Sequence, residues 1–258
     1  MFASLPKPED NAMGNAPLEQ NKIDLEVDEV IKLDREQKTI ATKAGKKFFY
    51  EKVILATGSN PIMPPVKGLD KAGVYPILKE MGYLKELKEK LSKAKNAVII
   101  GGGFIGIEFA DEFSAIRGLK VSLVELLPHL LLNSFDPEFG QMVEEKIKAK
   151  GVNLVLGKKV VEAVGDKSVT GIKLDDGNVI PAALVVLGIG ARPSSELAKQ
   201  AGLTLGRGGG ICVDEYMRTL DPAVFAIGDC AEKKDFFTRR DLPVMLAMNS
   251  MKSSGNSM

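Results

Sequence analysis

Residues 97–125 read AVIIGGGFIGIEFADEFSAIRGLKVSLVE. The apolar run from Ala97 to Ile100 has the length of a buried parallel strand. A glycine turn follows. From Phe104 the apolar residues Ile105, Phe109, Phe113 and Ile116 recur at helical spacing, and Gly118 is the residue type that ends helices. KVSLVE at 120–125 predicts the next strand. Gly101, Gly103 and Gly106 spell G-x-G-x-x-G directly between the first strand and the helix. The first glycine permits the tight turn, the second lets a pyrophosphate approach the backbone, and the third lets the helix pack close to the strand. Phosphates would then sit at the helix N-terminus, where N–H groups and the helix dipole favour anions. Glu125 ends the second strand about 20 residues past the last glycine, where a carboxylate can accept hydrogen bonds from a ribose hydroxyl pair. Strand, turn, helix, strand and terminal acid in this order predict a dinucleotide site in a Rossmann-like parallel α/β fold.

Glu125 also predicts which dinucleotide. A 2′-phosphate would face a like charge, and LLPHLLL at 126–132 contains no lysine or arginine to receive it. NAD(H) is favoured over NADP(H). His129, the only cation available in that stretch, reads as a partly buried loop histidine.

Outward from this segment the pattern stays α/β. Met81, Leu84, Leu87 and Leu91 mark an amphipathic helix over 77–95. Asp136 and Pro137 read as the N-cap and first turn of a helix running to Lys150. Strands are predicted at 152–156, 183–188 and 224–227, two antiparallel strands over 160–174, and a hairpin turn at Asp176-Gly177. A short helix is predicted at 194–202. Upstream, the alternation of Ile23, Leu25, Val27 and Val30 predicts a half-buried strand over 23–33. A small meander follows over 38–58, ending in the fully apolar Val53 to Ala56. Pro61, Pro64, Pro65 and Gly68 predict a hinge. Residues 1–22 read as an unstructured arm and 248–258 as a fraying tail.

Composition removes other classes. The chain has 258 residues, 35 Lys+Arg against 34 Asp+Glu, and a net charge of +1, so no bulk field draws it to nucleic acid or anionic lipid. Its length fits one large domain or two modest ones. The two cysteines, Cys212 and Cys230, make no CxxC and no metal-ligand spacing, and each reads as a packing residue, Cys212 in strand core. With one histidine, His-based metal sites and most triads are implausible, so no metal site and no catalytic side chain are assigned. The first residues lack a signal peptide's basic and apolar regions, and no apolar run is long enough for a membrane helix. A reducing cytoplasm is the expectation.

Four segments in order, YEKVILATGSNP (50–61), VIIGGGFIGIEFA (98–110), VLGIGARPSSELAKQAGL (186–203) and VFAIGDCAE (224–232), resemble the flavin-dependent pyridine nucleotide–disulfide oxidoreductases. The similar branch holds NADH oxidases and coenzyme A-disulfide reductases, and the resemblance covers about 23–247. It implies that Gly101, Gly103, Phe104, Ile105 and Gly106 line the NAD phosphates and nicotinamide. Phe104 falls where such enzymes often carry a tyrosine between nicotinamide and flavin. Glu108 matches a glutamate near both rings, and Gly188 and Gly190 match the turn beside the nicotinamide. Thr57 and Gly58 match the turn closing the FAD domain, and Asp229 matches the aspartate that holds a ribitol hydroxyl of FAD.

Against that pattern, no strand–GxGxxG–helix unit precedes residue 23, the redox cysteine that follows such a unit is missing, and the family's C-terminal dimerisation domain is not recognisable. The expectation is therefore a Rossmann-like three-layer NAD(H)-binding domain over 59–192, with 23–58 and 193–247 as a partial FAD-domain remnant. The chain would be the NAD(H)-binding portion of a flavin-dependent NADH oxidoreductase, with FAD weakly held or absent, no turnover by itself, and an unknown electron acceptor. The alternative is a non-catalytic NAD(H)-binding sensor or interaction module. Neither the acceptor nor the oligomeric state is written in these residues.

Overall fold

The computed structural model describes residues 14–78 and 80–232. Among the described residues two compact units arise: Pro61–Gly190, and Gly14–Asn60 together with 191–232. In chain order the elements are α1 (Ala16–Gln20), β1 (Val30–Asp34), β2 (Thr39–Thr42), β3 (Lys47–Phe49), β4 (Val53–Leu55), β5 (Ser59–Pro61), β6 (Val74–Pro76), α2 (Met81–Lys93), β7 (Asn96–Ile100), α3 (Phe104–Ser114), β8 (Lys120–Val124), α4 (Pro137–Ala149), β9 (Asn153–Val155), β10 (Val160–Val164), β11 (Gly171–Leu174), β12 (Val179–Pro181), β13 (Leu184–Leu187), β14 (Ala191–Pro193), α5 (Glu196–Gln200) and β15 (Val224–Ala226).

In Pro61–Gly190 five strands form an all-parallel sheet in the order β6-β13-β7-β8-β9. The chain runs outward from β7 through α3 to β8 and through α4 to β9, then returns to place β13 on the other side of β7. The strand residues alternate between two cores, as a pleated sheet requires. Ala97, Ile99, Val121, Leu123, Leu184 and Val186 face the helices, meeting Leu87 and Leu91 of α2, Ala110 and Phe113 of α3 and Ile147 of α4. Val98, Ile100, Val124, Val185 and Leu187 face the antiparallel meander β10-β11-β12, meeting Val160, Ala163, Ile172 and Leu174. The layers are therefore helices, parallel sheet and meander, an α/β architecture. The predicted hairpin at Asp176-Gly177 joins β11 to β12, with Gly177 at φ +87°. Helix α4 starts at Pro137 as predicted, although the Asp136 side chain makes no cap hydrogen bond.

In the other unit β1, β2 and β3 form an antiparallel meander, and β4 pairs in parallel with β15. Its core joins Leu33, Leu55, Ala198, Leu203, Ile211, Val224 and Ala226. Arg35 donates from Nε to Asp221 at 2.8 Å and from Nη1 to the carbonyls of Ala201 and Gly202, fastening the end of β1 to the end of α5. Strands β5 and β14 pair with one another, and the Ile62 N–H bonds the Gly190 carbonyl at 3.0 Å where Pro61–Gly190 begins and ends.

Several expectations need correction. Residues 23–29 are not strand, and Ile23, Leu25 and Val27 are exposed. Pairing begins only at Val30, because β2 supplies partners for Val30–Asp34 alone. Alternation without a partner strand makes no ladder. Within the segment read as an arm, Ala16–Gln20 is helical, a single turn and a half with no buried residue and hence no apolar period to detect. The meander predicted over 38–58 does not end in the apolar run from Val53: that run is β4, which pairs in parallel with β15, with Leu55 inside and Ile54 exposed. Proline did not exclude a strand at β5, since Pro61 sits at the end of a two-stranded ribbon, where no ladder donor is needed. Cys212 is outside any strand and half-buried, whereas Cys230 is fully buried and its thiol donates to the Leu55 carbonyl at 3.3 Å. The remainder of the predicted FAD-domain remnant past residue 232, and the tail at 248–258, lie outside the described residues.

Candidate functional site

Strand order in the parallel sheet reverses between β7 and β13, and in open α/β sheets ligands bind at such a point, beyond the carboxyl ends of the strands. Three sequence-predicted groups converge there: the Gly101–Gly103 turn after β7, Glu125 after β8, and Gly188 to Gly190 after β13. Backbone bonds lock the convergence. Gly101 N–H donates to Val124 O at 2.8 Å, and Gly188 N–H to Ile100 O at 2.7 Å.

The glycines divide by what surrounds them. Gly101 is buried at φ +110°, and a Cβ there would come within 2.5 Å of the Gly188 carbonyl. At Gly106 a Cβ would lie 1.9 Å from the Gly101 carbonyl, and at Gly188 one would lie 3.0 Å from Gly106 Cα. These three are glycine because the helix, the turn and β13 touch backbone to backbone. Gly103 differs. It is exposed, its φ of −80° suits any residue, and a Cβ there would meet nothing within 4 Å. No neighbour in the fold demands a glycine at that position, which lies in open space where α3 begins. Gly190, also exposed, is at φ +107°.

Glu125 is held in place before any ligand arrives. One carboxylate oxygen accepts the Gly102 N–H, the other accepts the Leu127 N–H at 2.7 Å. Two bonds from backbone aim the group at the glycine turn and leave further lone pairs for donors such as hydroxyls. Phe104 and Ile105, the first residues of α3, are 43% and 41% exposed, and Glu108 is exposed one turn further on the same face as Phe104. The Phe104 ring meets Phe135 edge-on at 5.8 Å, and Phe135 continues to Phe139. The first N–H groups of α3 have no intrahelical acceptor. This arrangement can hold a diphosphate at the helix start and a diol at Glu125.

Thr57, Gly58 and Asp229 belong to the other unit. Thr57 Oγ donates to the Ser194 carbonyl at 2.5 Å, and Ser194 N–H returns a bond to Gly58 O at 2.9 Å, with Gly58 at φ +67°. Asp229 sits in the 3-10 turn Gly228–Cys230, and its Oδ2 accepts from Ser59 Oγ at 2.9 Å. Sequence reading did not single out Ser59, Ser194 or Gly102. It also passed over Glu144, which the structure buries with Gly140 and Ile147 on one face of α4. Among the described residues no cluster of three or more metal-ligating side chains occurs, and no helix is long and apolar enough to cross a membrane.

The sequence pattern of the pyridine nucleotide-disulphide oxidoreductases matches residues 4–254. The chain belongs to that family. As a member, it is 36% identical over 217 residues to the nitrite reductase [NAD(P)H] of Bacillus subtilis, covering 84% of this chain and 26% of the relative. It is 36% identical over 234 residues to the NAD(P)H coenzyme A polysulfide/persulfide reductase of Pyrococcus horikoshii, covering 89% and 52%. Its structure is similar to that of the water-forming NADH oxidase of Lactobacillus brevis bound to NADH, with a TM-score of 0.80, 30% identity, and coverage of 88% of this chain and 51% of the other. The chain thus spans from about a quarter to about half of the length of these relatives. The family is FAD- and NAD(P)H-dependent.

Proposed function

We propose that Pro61–Gly190 binds NAD(H) and that the chain is the nicotinamide-nucleotide portion of a flavin-dependent NADH oxidoreductase of the NADH oxidase or disulfide-reductase type. The observation that carries this reading is the contrast among the glycines. Gly101, Gly106 and Gly188 serve packing, whereas Gly103 is an exposed glycine that the fold itself does not require. A pyrophosphate approaching the backbone supplies the missing reason. The donors at the start of α3 and the held carboxylate of Glu125 fit the two ends of an adenosine diphosphate, a phosphate pair and a ribose diol. NADH would supply the hydride and FAD would accept it.

In this reading Gly101, Gly103, Ile105 and Gly106 shape the phosphate site and Glu125 receives the adenine ribose. Phe104, Glu108, Gly188 and Gly190 border the nicotinamide, with Phe104 keeping an aromatic face but no hydroxyl. Thr57, Gly58 and Asp229 are the groups that would meet a flavin, Asp229 with its carboxylate steadied by Ser59. A cytoplasmic setting suits the free cysteines, and the nicotinamide nucleotide itself is the partner the site is built for.

The test is a calorimetric titration of the 258-residue chain with NADH. Wild type should bind, and Gly103→Val should lose binding while keeping its melting temperature, since the new side chain enters only the crevice. Normal NADH binding by the variant would remove the dinucleotide from this turn.

A further inference from the structure

Glu144 is a buried carboxylate on α4, in the face of that helix that otherwise packs against the core. The site described above does not use it. Burying an ionised carboxylate is costly unless its oxygens are bonded, and here both donors come from the loop after β8. Oε1 accepts the Leu130 N–H at 3.1 Å and the Nδ1 of His129 at 3.1 Å.

Those two bonds hold a loop that reaches the Gly101–Gly103 turn. Leu130 is fully buried, and its side chain closes over Gly102, where a Cβ would lie 2.6 Å from Leu130 Cδ2. The Leu130 carbonyl presses on α4, 2.5 Å from a Cβ built at Gly140. Leu131 takes φ +58°, and its N–H donates to the Gly102 carbonyl at 3.0 Å. At the other end of the loop, Leu127 N–H holds Glu125, and Leu127 O accepts from Gly157 N–H at 3.0 Å. Both backbone donors to Glu125, at Gly102 and Leu127, are therefore braced by a loop that Glu144 anchors from beneath.

We infer that Glu144 is a positioning residue for dinucleotide choice. It keeps the 126–131 loop rigid, so the Glu125 carboxylate cannot swing aside to admit a 2′-phosphate. This rests on the reading that the dinucleotide lies over the Gly101–Gly103 turn. If the Leu130 N–H loses its acceptor, it is left buried and unpaired, and the loop must shift to satisfy it. Leu127 and Gly102 then yield, and Glu125 gains freedom to turn away from a bound phosphate. A ribose diol loses its fixed acceptor while a 2′-phosphate loses its opponent, so discrimination falls more than affinity.

The experiment measures the affinity of the full chain for NADH and for NADPH by calorimetry in wild type, Glu144→Leu, Glu144→Gln and His129→Leu. Glu144→Leu should lower the NADH-over-NADPH ratio by about fivefold, the combined weight of the two net hydrogen bonds it removes. Glu144→Gln should keep the ratio, because the amide oxygen accepts both bonds. Equal losses for both dinucleotides in Glu144→Leu, or a Glu144→Gln that behaves like the leucine variant, would overturn the assignment. Should Glu144→Leu not fold, His129→Leu carries the test. It removes one bond at a partly exposed position and should lower the ratio by about twofold, and an unchanged ratio would overturn the assignment. Wild type is titrated first. If it binds neither dinucleotide, or both alike, the reading of the site fails and takes this inference with it, whereas a discriminating wild type with unaltered variants fails the inference alone.

Discussion

Glu125 shows how much one side chain decides when backbone aims it. Its carboxylate is bonded to Gly102 and Leu127 before any ligand is present, so binding a ribose diol there needs little reorganisation, and binding a phosphate there sets two negative charges together. NADH should bind tighter than NADPH by about tenfold, or about 1.4 kcal/mol. Glu125→Arg should reverse the order, because the guanidinium offers a forked donor set to a phosphate and repels nothing. Titration of the variant with both dinucleotides checks this, and a variant that still prefers NADH would show that the preference lies elsewhere. The acid itself was legible in the sequence from its place at the end of KVSLVE. Its two backbone donors were not, because they depend on a loop whose path is set by Leu131 in a left-handed conformation and by a glutamate one helix away.

At the scale of elements, the stretch from β7 to β9 was the most readable part of the chain. The helices there have an apolar period, Gly118 and Gly151 follow their ends, and β7 and β8 carry runs of buried apolar residues, so local preference and tertiary packing agree. The closeness of α3 to the turn was legible as well, from Gly106. With a Cβ 1.9 Å from the Gly101 carbonyl, Gly106→Ala must push α3 off the sheet. Overpacking of this kind costs about 1–3 kcal/mol, so thermal unfolding of the variant should shift down measurably, while Gly103→Ala, in open space, should not shift it. A Gly106→Ala chain as stable as wild type would mean that the helix can slide without penalty. Elements outside this stretch were harder to read. The strand predicted over 23–33 shrank to β1 because side-chain alternation records a face and says nothing about whether a neighbouring strand is long enough to pair. The five-residue α1 buries no side chain, so it has no pattern to leave. The fastening of β1 by Arg35 to Asp221 joins residues far apart in sequence and has no local signature.

At the scale of the whole chain, the question is how much flavin these residues can hold. FAD carries its own pyrophosphate, which calls for a second anion site, yet the single G-x-G-x-x-G in the 258 residues is the one after β7. Asp229, steadied by Ser59, offers a charged hydrogen bond of about 1.5–3 kcal/mol, well short of the roughly 8 kcal/mol that micromolar binding needs. The 258-residue chain should therefore carry less than one FAD per molecule and oxidise NADH no faster than free flavin does. A visible spectrum and an NADH oxidation rate with added FAD measure both. A stoichiometric flavin peak with turnover would show that this unit, or a second copy of the chain, completes the flavin site.

The bond between Ile62 and Gly190 has a further consequence. A stretch of chain whose first and last residues lie side by side can be lifted out or spliced in without straining what flanks it, since closing the gap left behind costs only a short turn's worth of loop entropy. Pro61–Gly190 has the topology of a graft. On the reading proposed above, exchange of that whole cassette, at two cut points that nearly coincide in space, would carry its nucleotide site with it and leave the pairing of β4 with β15 and of β1, β2 and β3 untouched.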